Sequence, residues 1–98
     1  MTIKEKYGDN SVTFIIEGNL DTTTAPLLEE RLSVITEETE EVVFDFAKLN
    51  YISSAGLRTI LIACKKIGNG GAVKAKDANV MVQDILNTTG FSEIIELV

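Results

Sequence analysis

Glu41-Val-Val-Phe-Asp-Phe46, a short connection, and then Asn50-Tyr-Ile-Ser-Ser-Ala-Gly-Leu-Arg-Thr-Ile-Leu61 decide how this chain folds. The first run is apolar enough for a central strand, buried on both sides by neighbours. The second enters a helix whose apolar positions, Leu57, Ile60, Leu61, Cys64 and Ile67, follow i, i+3, i+4, i+7 and i+10 spacing. Gly68 ends that helix, and Lys65-Lys66 complement its C-terminal dipole. Two serines, Ser53 and Ser54, stand at the junction. A hydroxyl there can cap orphan N–H groups. The same place also favours negative charge, so a serine at it can carry a phosphate without disturbing its own helix.

Working outward, the pattern repeats. Thr2–Tyr7 and Ser11–Gly18 flank Gly8-Asp9-Asn10, a turn sequence, and read as a hairpin. Val12, Phe14 and Ile16 give the second strand one strongly apolar face. Asp21-Thr-Thr-Thr24 and Pro26 open a helix over Thr24–Thr36, with Leu28, Leu32 and Ile35 as its stripe. After the central helix, Ala72–Asp77 reads as a strand. Asn79 then caps a helix carrying Val82, Ile85 and Leu86 that Gly90 closes, and Phe91–Val98 reads as a last strand. The order is β-β-α-β-α-β-α-β, one α/β domain over residues 1–98 with a mixed sheet of four to five strands. Leu57, Leu61, Cys64, Phe14, Ile16, Val43 and Phe46 are expected in the core.

Composition narrows function by exclusion. With 98 residues the chain buries one core, about two-thirds of its unfolded surface. A net charge of −6 gives no basic stripe, so no direct nucleic-acid binding is expected. There is no histidine, which removes Ser-His and Cys-His catalysis, and a single cysteine, Cys64, makes neither an internal disulfide nor a Cys-based zinc site. No Walker or Rossmann glycine loop and no Gly-x-Ser-x-Gly elbow is present. No cofactor or metal is therefore expected, and a binding module is expected in preference to an enzyme. The N-terminus lacks an apolar signal region, and the longest apolar run, Ile60–Cys64, is too short for a membrane span. A cytoplasmic protein without a membrane partner is the expectation. An aspartate-phosphorylated receiver domain fits poorly, because Asp45 lies inside its strand instead of at its end.

Glu17-Gly-Asn-Leu-Asp21, Val42–Leu49, Tyr51-Ile-Ser-Ser-Ala-Gly-Leu-Arg58, Gly70-Gly71 and Asn87-Thr-Thr-Gly-Phe91 occur in an order that resembles the STAS domain of bacterial anti-sigma factor antagonists. The resemblance covers nearly the whole chain. It implies an antagonist whose unphosphorylated form binds an anti-sigma factor that is also a GHKL-type serine kinase, freeing a sigma factor. Phosphorylation of one serine would end that complex, and a metal-dependent serine phosphatase would restore it. Family members usually carry Asp-Ser-Ser/Thr-Gly. Matched on Gly56, Ser54 takes the phosphoacceptor position, Ser53 stands where the Asp usually is, and Ala55 replaces the second hydroxyl. Ser53 remains an alternative acceptor. Asp21, Thr24, Ser53, Gly56 and Leu57 are implied as partner contacts, and Asp21 reads equally as a helix cap. The other reading is a STAS scaffold or adaptor that is never phosphorylated, in a signalling or lipid-transport complex. Oligomeric state is not legible in the sequence.

Overall fold

A tight hairpin begins the chain. Strands β1 (Thr2–Gly8) and β2 (Ser11–Leu20) pair antiparallel through a two-residue loop, Asp9-Asn10, with Asn10 at φ 56°, a left-handed conformation asparagine tolerates. A computed structural model describes residues 1–68 and 70–98. From β2 onward each strand is followed by a helix and by a parallel neighbour. Helix α1 (Ala25–Arg31), extended by a 3₁₀ turn at Leu32–Val34, leads to β3 (Glu41–Ile52). Helix α2 (Ser54–Lys66) leads to β4 (Ala72–Lys76), and α3 (Val80–Thr88), with a second 3₁₀ turn at Phe91–Glu93, leads to β5 (Glu96–Leu97). The strands lie side by side in chain order, β1-β2-β3-β4-β5.

That order has a consequence for where function can sit. Every crossover steps one place in the same direction, and crossovers of this kind are right-handed, so all three helices fall on one face of the sheet. Burial agrees: Val12, Phe14, Ile16, Val42, Phe44, Phe46, Val73 and Ala75 are buried on the helix side. Their neighbours Thr13, Ile15, Val43, Asp45 and Lys74 are only half-buried on the uncovered side. Phe44 stacks between Phe14 (5.7 Å) and Phe46 (5.9 Å) at the centre of the core. The open side is finished with charge, Lys74 meeting Glu41 at 2.9 Å across adjacent strands. Because strand order never reverses, the described residues form no switch-point crevice of the doubly wound kind. The loops at the C-terminal ends of β2, β3 and β4 instead form one continuous rim.

Several expectations need correction. Val43 lies on the half-open face; Val42, Phe44 and Phe46 are the inward set of its strand. β3 does not stop at Phe46 but runs on to Ile52, because two register shifts against β2 let it absorb extra residues without leaving the sheet. Leu61 is 36% exposed and Cys64 half-buried, so α2 is rotated from the expected stripe. The face it buries is Gly56, Leu57, Thr59, Ile60 and Ala63. Three of these are small, which lets the helix axis come close to the sheet, and the Thr59 hydroxyl is satisfied by the Gly56 carbonyl. Burial still pushes the Cys64 thiol above its usual range, which leaves it a poor nucleophile. The first helix is shorter than expected, and the last strand is reduced to Glu96–Leu97.

Candidate functional site: the serine pair at the start of helix α2

The site is built where β2 and β3 end together. Leu20 and Ile52 are register partners and both are buried. The next residue, Ser53, donates its backbone N–H to the Leu20 carbonyl at 2.9 Å, which carries the strand pairing one step further. Ser53 has extended geometry (φ −100°, ψ 178°), and its carbonyl accepts from Leu57 N, so it is the residue that turns the strand into α2. Gly56 makes the turn possible. A Cβ on it would stand 2.7 Å from Ile52 Cγ1, 2.8 Å from the Leu20 carbonyl oxygen and 2.9 Å from Leu20 Cγ. The first turn of the helix therefore rests directly on the strand ends.

The two serines are not equivalent. Ser54 is the first helical residue and is exposed. Ser53 Oγ is buried and has no hydrogen-bond partner, and no side chain caps the helix. A buried hydroxyl left unpaired costs about 1–3 kcal/mol, and an ordinary N-cap serine contributes about 0.5–2 kcal/mol. Here the contribution is missing and the cost is present. Ser53→Ala is accordingly expected to leave stability within about 0.5 kcal/mol of the parent, or to raise it. Urea unfolding measures this, and a loss above about 1 kcal/mol would show that the hydroxyl finds a partner in solution.

Asp21 follows Leu20 and so stands beside Ser53 across the strand pair. Its Oδ1 accepts from Thr23 Oγ1 (2.7 Å), Thr23 N (3.0 Å) and Thr24 N (3.2 Å), and its carbonyl accepts from Ala25 N (2.7 Å). This is an aspartate turn feeding α1. The Thr23 hydroxyl first, then the Thr23 and Thr24 backbone N–H groups, hold the Asp21 carboxyl below the usual carboxylate range. A lowered pKa favours the folded state above the ordinary value, and that contribution disappears as pH falls through the lowered one. Thr24 Oγ1 accepts from Asp21 N and donates to the Asn19 carbonyl, so its polar end is occupied within the loop.

Of the expected contacts, then, Ser54 is exposed at the rim and Asp21 half-buried in it, Thr24 and Ser53 are half-buried as well, and Gly56 and Leu57 are buried beneath. Arg58, one turn after Ser54, is exposed and helps line a cleft of about 240 Å³ between α1 and α2 with Thr22, Pro26, Glu29 and Ala55. Sequence reasoning missed a third member of the rim. Asn79 caps α3 through Val82 N and also donates its side-chain amide to the Leu49 and Asn50 carbonyls (3.0 and 3.3 Å). This fixes the start of α3 against the segment entering the serine loop, and Val80 and Met81 in the first turn of α3 are exposed. The available signal was two apolar residues at a helix start that belong to no buried stripe.

The family model of the STAS domain matches residues 2–98. The anti-sigma-B factor antagonist of Bacillus subtilis is 24% identical over 98 residues, covering 99% of this chain and 90% of that protein. An anti-sigma factor antagonist from Mycobacterium paratuberculosis has a crystal structure that superposes with a TM-score of 0.87 at 21% identity, covering 98% of this chain and 83% of that one. The Bacillus cell fate determinant SpoIIAA in its phosphorylated form superposes with a TM-score of 0.74 at 12% identity, over 99% and 91% of the two chains. The chain belongs to the STAS domain family.

Proposed function

We propose that this protein is an anti-sigma factor antagonist switched by phosphorylation of Ser54. In its unphosphorylated state it binds an anti-sigma factor of the GHKL serine-kinase type in the cytoplasm, and the kinase gives up its sigma factor. Transfer of a phosphoryl group from ATP to Ser54 Oγ ends the complex, and a metal-dependent serine phosphatase reverses it. The protein itself is a ligand and a substrate, without catalysis of its own. The observation that carries this reading is the contrast at the helix start: Ser54 is exposed while the Ser53 hydroxyl is enclosed. Support also comes from the position itself. An N-terminal helical turn with no side-chain cap tolerates a dianion, through its free N–H groups and its dipole. The phosphorylated state reported for SpoIIAA belongs to the same fold.

Gly56 and Leu57 serve this switch from below, fixing the height at which Ser54 is presented. Asp21 and the exposed part of the Thr22–Thr24 loop meet the partner directly. The test is incubation with the source organism's anti-sigma kinases and ATP, followed by mass spectrometry of the parent, Ser53→Ala and Ser54→Ala proteins. Label on Ser54, retained in Ser53→Ala and lost in Ser54→Ala, is the expected result. Label on Ser53 would move the switch by one residue, and no label from any of these kinases would favour a scaffold that binds without being modified.

A further inference from the structure

Arg58 is exposed on α2, and among the described residues it has no ion-pair partner, whereas Arg31 is held by Glu5 and Lys74 by Glu41. In the cleft between α1 and α2, Ala25, Pro26 and Ala55 offer apolar surface to its stem. Glu29 lines the same cleft, yet no ion pair joins it to Arg58. The helix fixes where this free cation stands. Ser54 and Arg58 both belong to α2, four residues apart, so they share one stripe with Cβ atoms about 5–6 Å from each other. Side chains on a helix lean toward its N-terminus, so the arm of Arg58 covers the turn that holds Ser54. No side chain caps that turn.

Resting on the function proposed above, we infer that Arg58 holds the phosphate of the switch: once Ser54 is phosphorylated, the Arg58 guanidinium pairs with that phosphate within the free domain. The chemistry fits at both ends. A guanidinium donates two parallel N–H bonds to phosphate oxygens, a fork that the ammonium of lysine does not offer. The phosphate brings about −1.5 to −2 charges and three acceptor oxygens within reach of that fork. The unmodified hydroxyl gives Arg58 nothing comparable, so the pair exists in one state of the switch only. A partner closing over the rim must then part the pair or strip water from both of its members. The pair therefore stabilises the free, phosphorylated domain and deepens the unbound state.

In the experiment, phosphoserine is placed at position 54 by genetic encoding, so the pair is read without any kinase. Phosphorus NMR follows the second ionisation of the phosphate in the parent, Arg58→Gln, Arg58→Lys and Lys65→Gln. A neighbouring cation favours the dianion, so Arg58→Gln is expected to raise that pKa by about half a unit or more, and Arg58→Lys by less. Asp21 on the adjoining loop and Glu29 in the cleft favour the monoanion and are present in all four proteins. Lys65→Gln removes the same charge about 16 Å along the helix axis, beyond the Debye length of about 10 Å at 0.1 M salt, and should barely move the value. Thermal unfolding gives a second readout. Phosphorylation should raise the melting temperature less in Arg58→Gln than in the parent, while the two unphosphorylated proteins melt together. A pKa in Arg58→Gln within about 0.2 units of the parent, or a shift that Lys65→Gln equals, would overturn the pair and leave Ser54 as the switch. An intact pair in a protein that no anti-sigma kinase labels would instead overturn the function proposed above, and with it the role given to Arg58.

Discussion

Ser54→Asp is expected to lower affinity for the anti-sigma kinase by two to three orders of magnitude while leaving the free domain as stable as the parent, or slightly more so. The two halves of this expectation come from one position. Ser54 is the first residue of α2, exposed, with no side chain capping the turn. A carboxylate there meets the positive end of the helix dipole, worth about 0.3–1 kcal/mol in favour of folding. In an interface the same carboxylate must lose its water beside a second one, Asp21. An uncompensated charge enclosed in this way costs about 3–5 kcal/mol, and each 1.4 kcal/mol is a factor of ten in affinity. Phosphate, carrying about −1.5 to −2 charges, should do more than the carboxylate does. Ser54→Ala should bind as the parent does and stay bound, since it cannot be modified. Calorimetry of the three proteins against the kinase, paired with urea unfolding of each alone, separates the effects. Affinity of Ser54→Asp within threefold of the parent would sink the electrostatic switch.

The alternation of strands and helices was legible because period-2 and period-3.6 patterns were clean. Val12, Phe14 and Ile16 named the inward face of β2, and Ser11 and Asn10 marked its start. What escaped follows from two physical causes. Counting apolar residues on α2 pointed to Leu61 and Cys64, but the helix approaches the sheet so closely that it buries Gly56, Thr59 and Ala63 instead. Small side chains carry little hydrophobic weight and a great deal of geometric weight, and only the second matters where a helix rests on strand ends. The length of β3 escaped because its two register shifts break the alternation after Phe46 while preserving the pairing with β2. At the candidate site, the serine pair stood out by its place at a helix start and Asp21 by its place before another, as a cap or a contact. Which serine faces water was not, because adjacent residues at a helix start differ in exposure through backbone geometry alone. The tie between the start of α3 and the end of β3 rests on the long-range amide bonds of Asn79 to the Leu49 and Asn50 carbonyls, which no local pattern encodes.

Gly56→Ala is the substitution expected to damage the fold most for its size, and it runs against local propensity. Alanine is favoured over glycine inside a helix by about 1 kcal/mol. The added Cβ, however, would enter a space bounded at 2.7 Å by Ile52 Cγ1, 2.8 Å by the Leu20 carbonyl oxygen and 2.9 Å by Leu20 Cγ. Two of these are side-chain atoms that are themselves packed in the core, and the third is backbone that already accepts from Ser53 N. Relief requires the first turn of α2 to rise, which stretches that bond. Overpacking costs about 1–3 kcal/mol or somewhat more, and a weakened hydrogen bond adds about 0.5–1.5 kcal/mol. Against the propensity gain the net loss is about 1–3 kcal/mol, and for a domain of this size each kcal/mol lowers the melting temperature by about 4–8 °C. The same rise shifts Ser54 relative to Asp21, so kinase binding should weaken even at temperatures where the variant is folded. A variant as stable as the parent would mean that α2 sits further from the strand ends than these contacts describe. In that case the close rest of the helix on Leu20 and Ile52 could not be what sets the height of the serine.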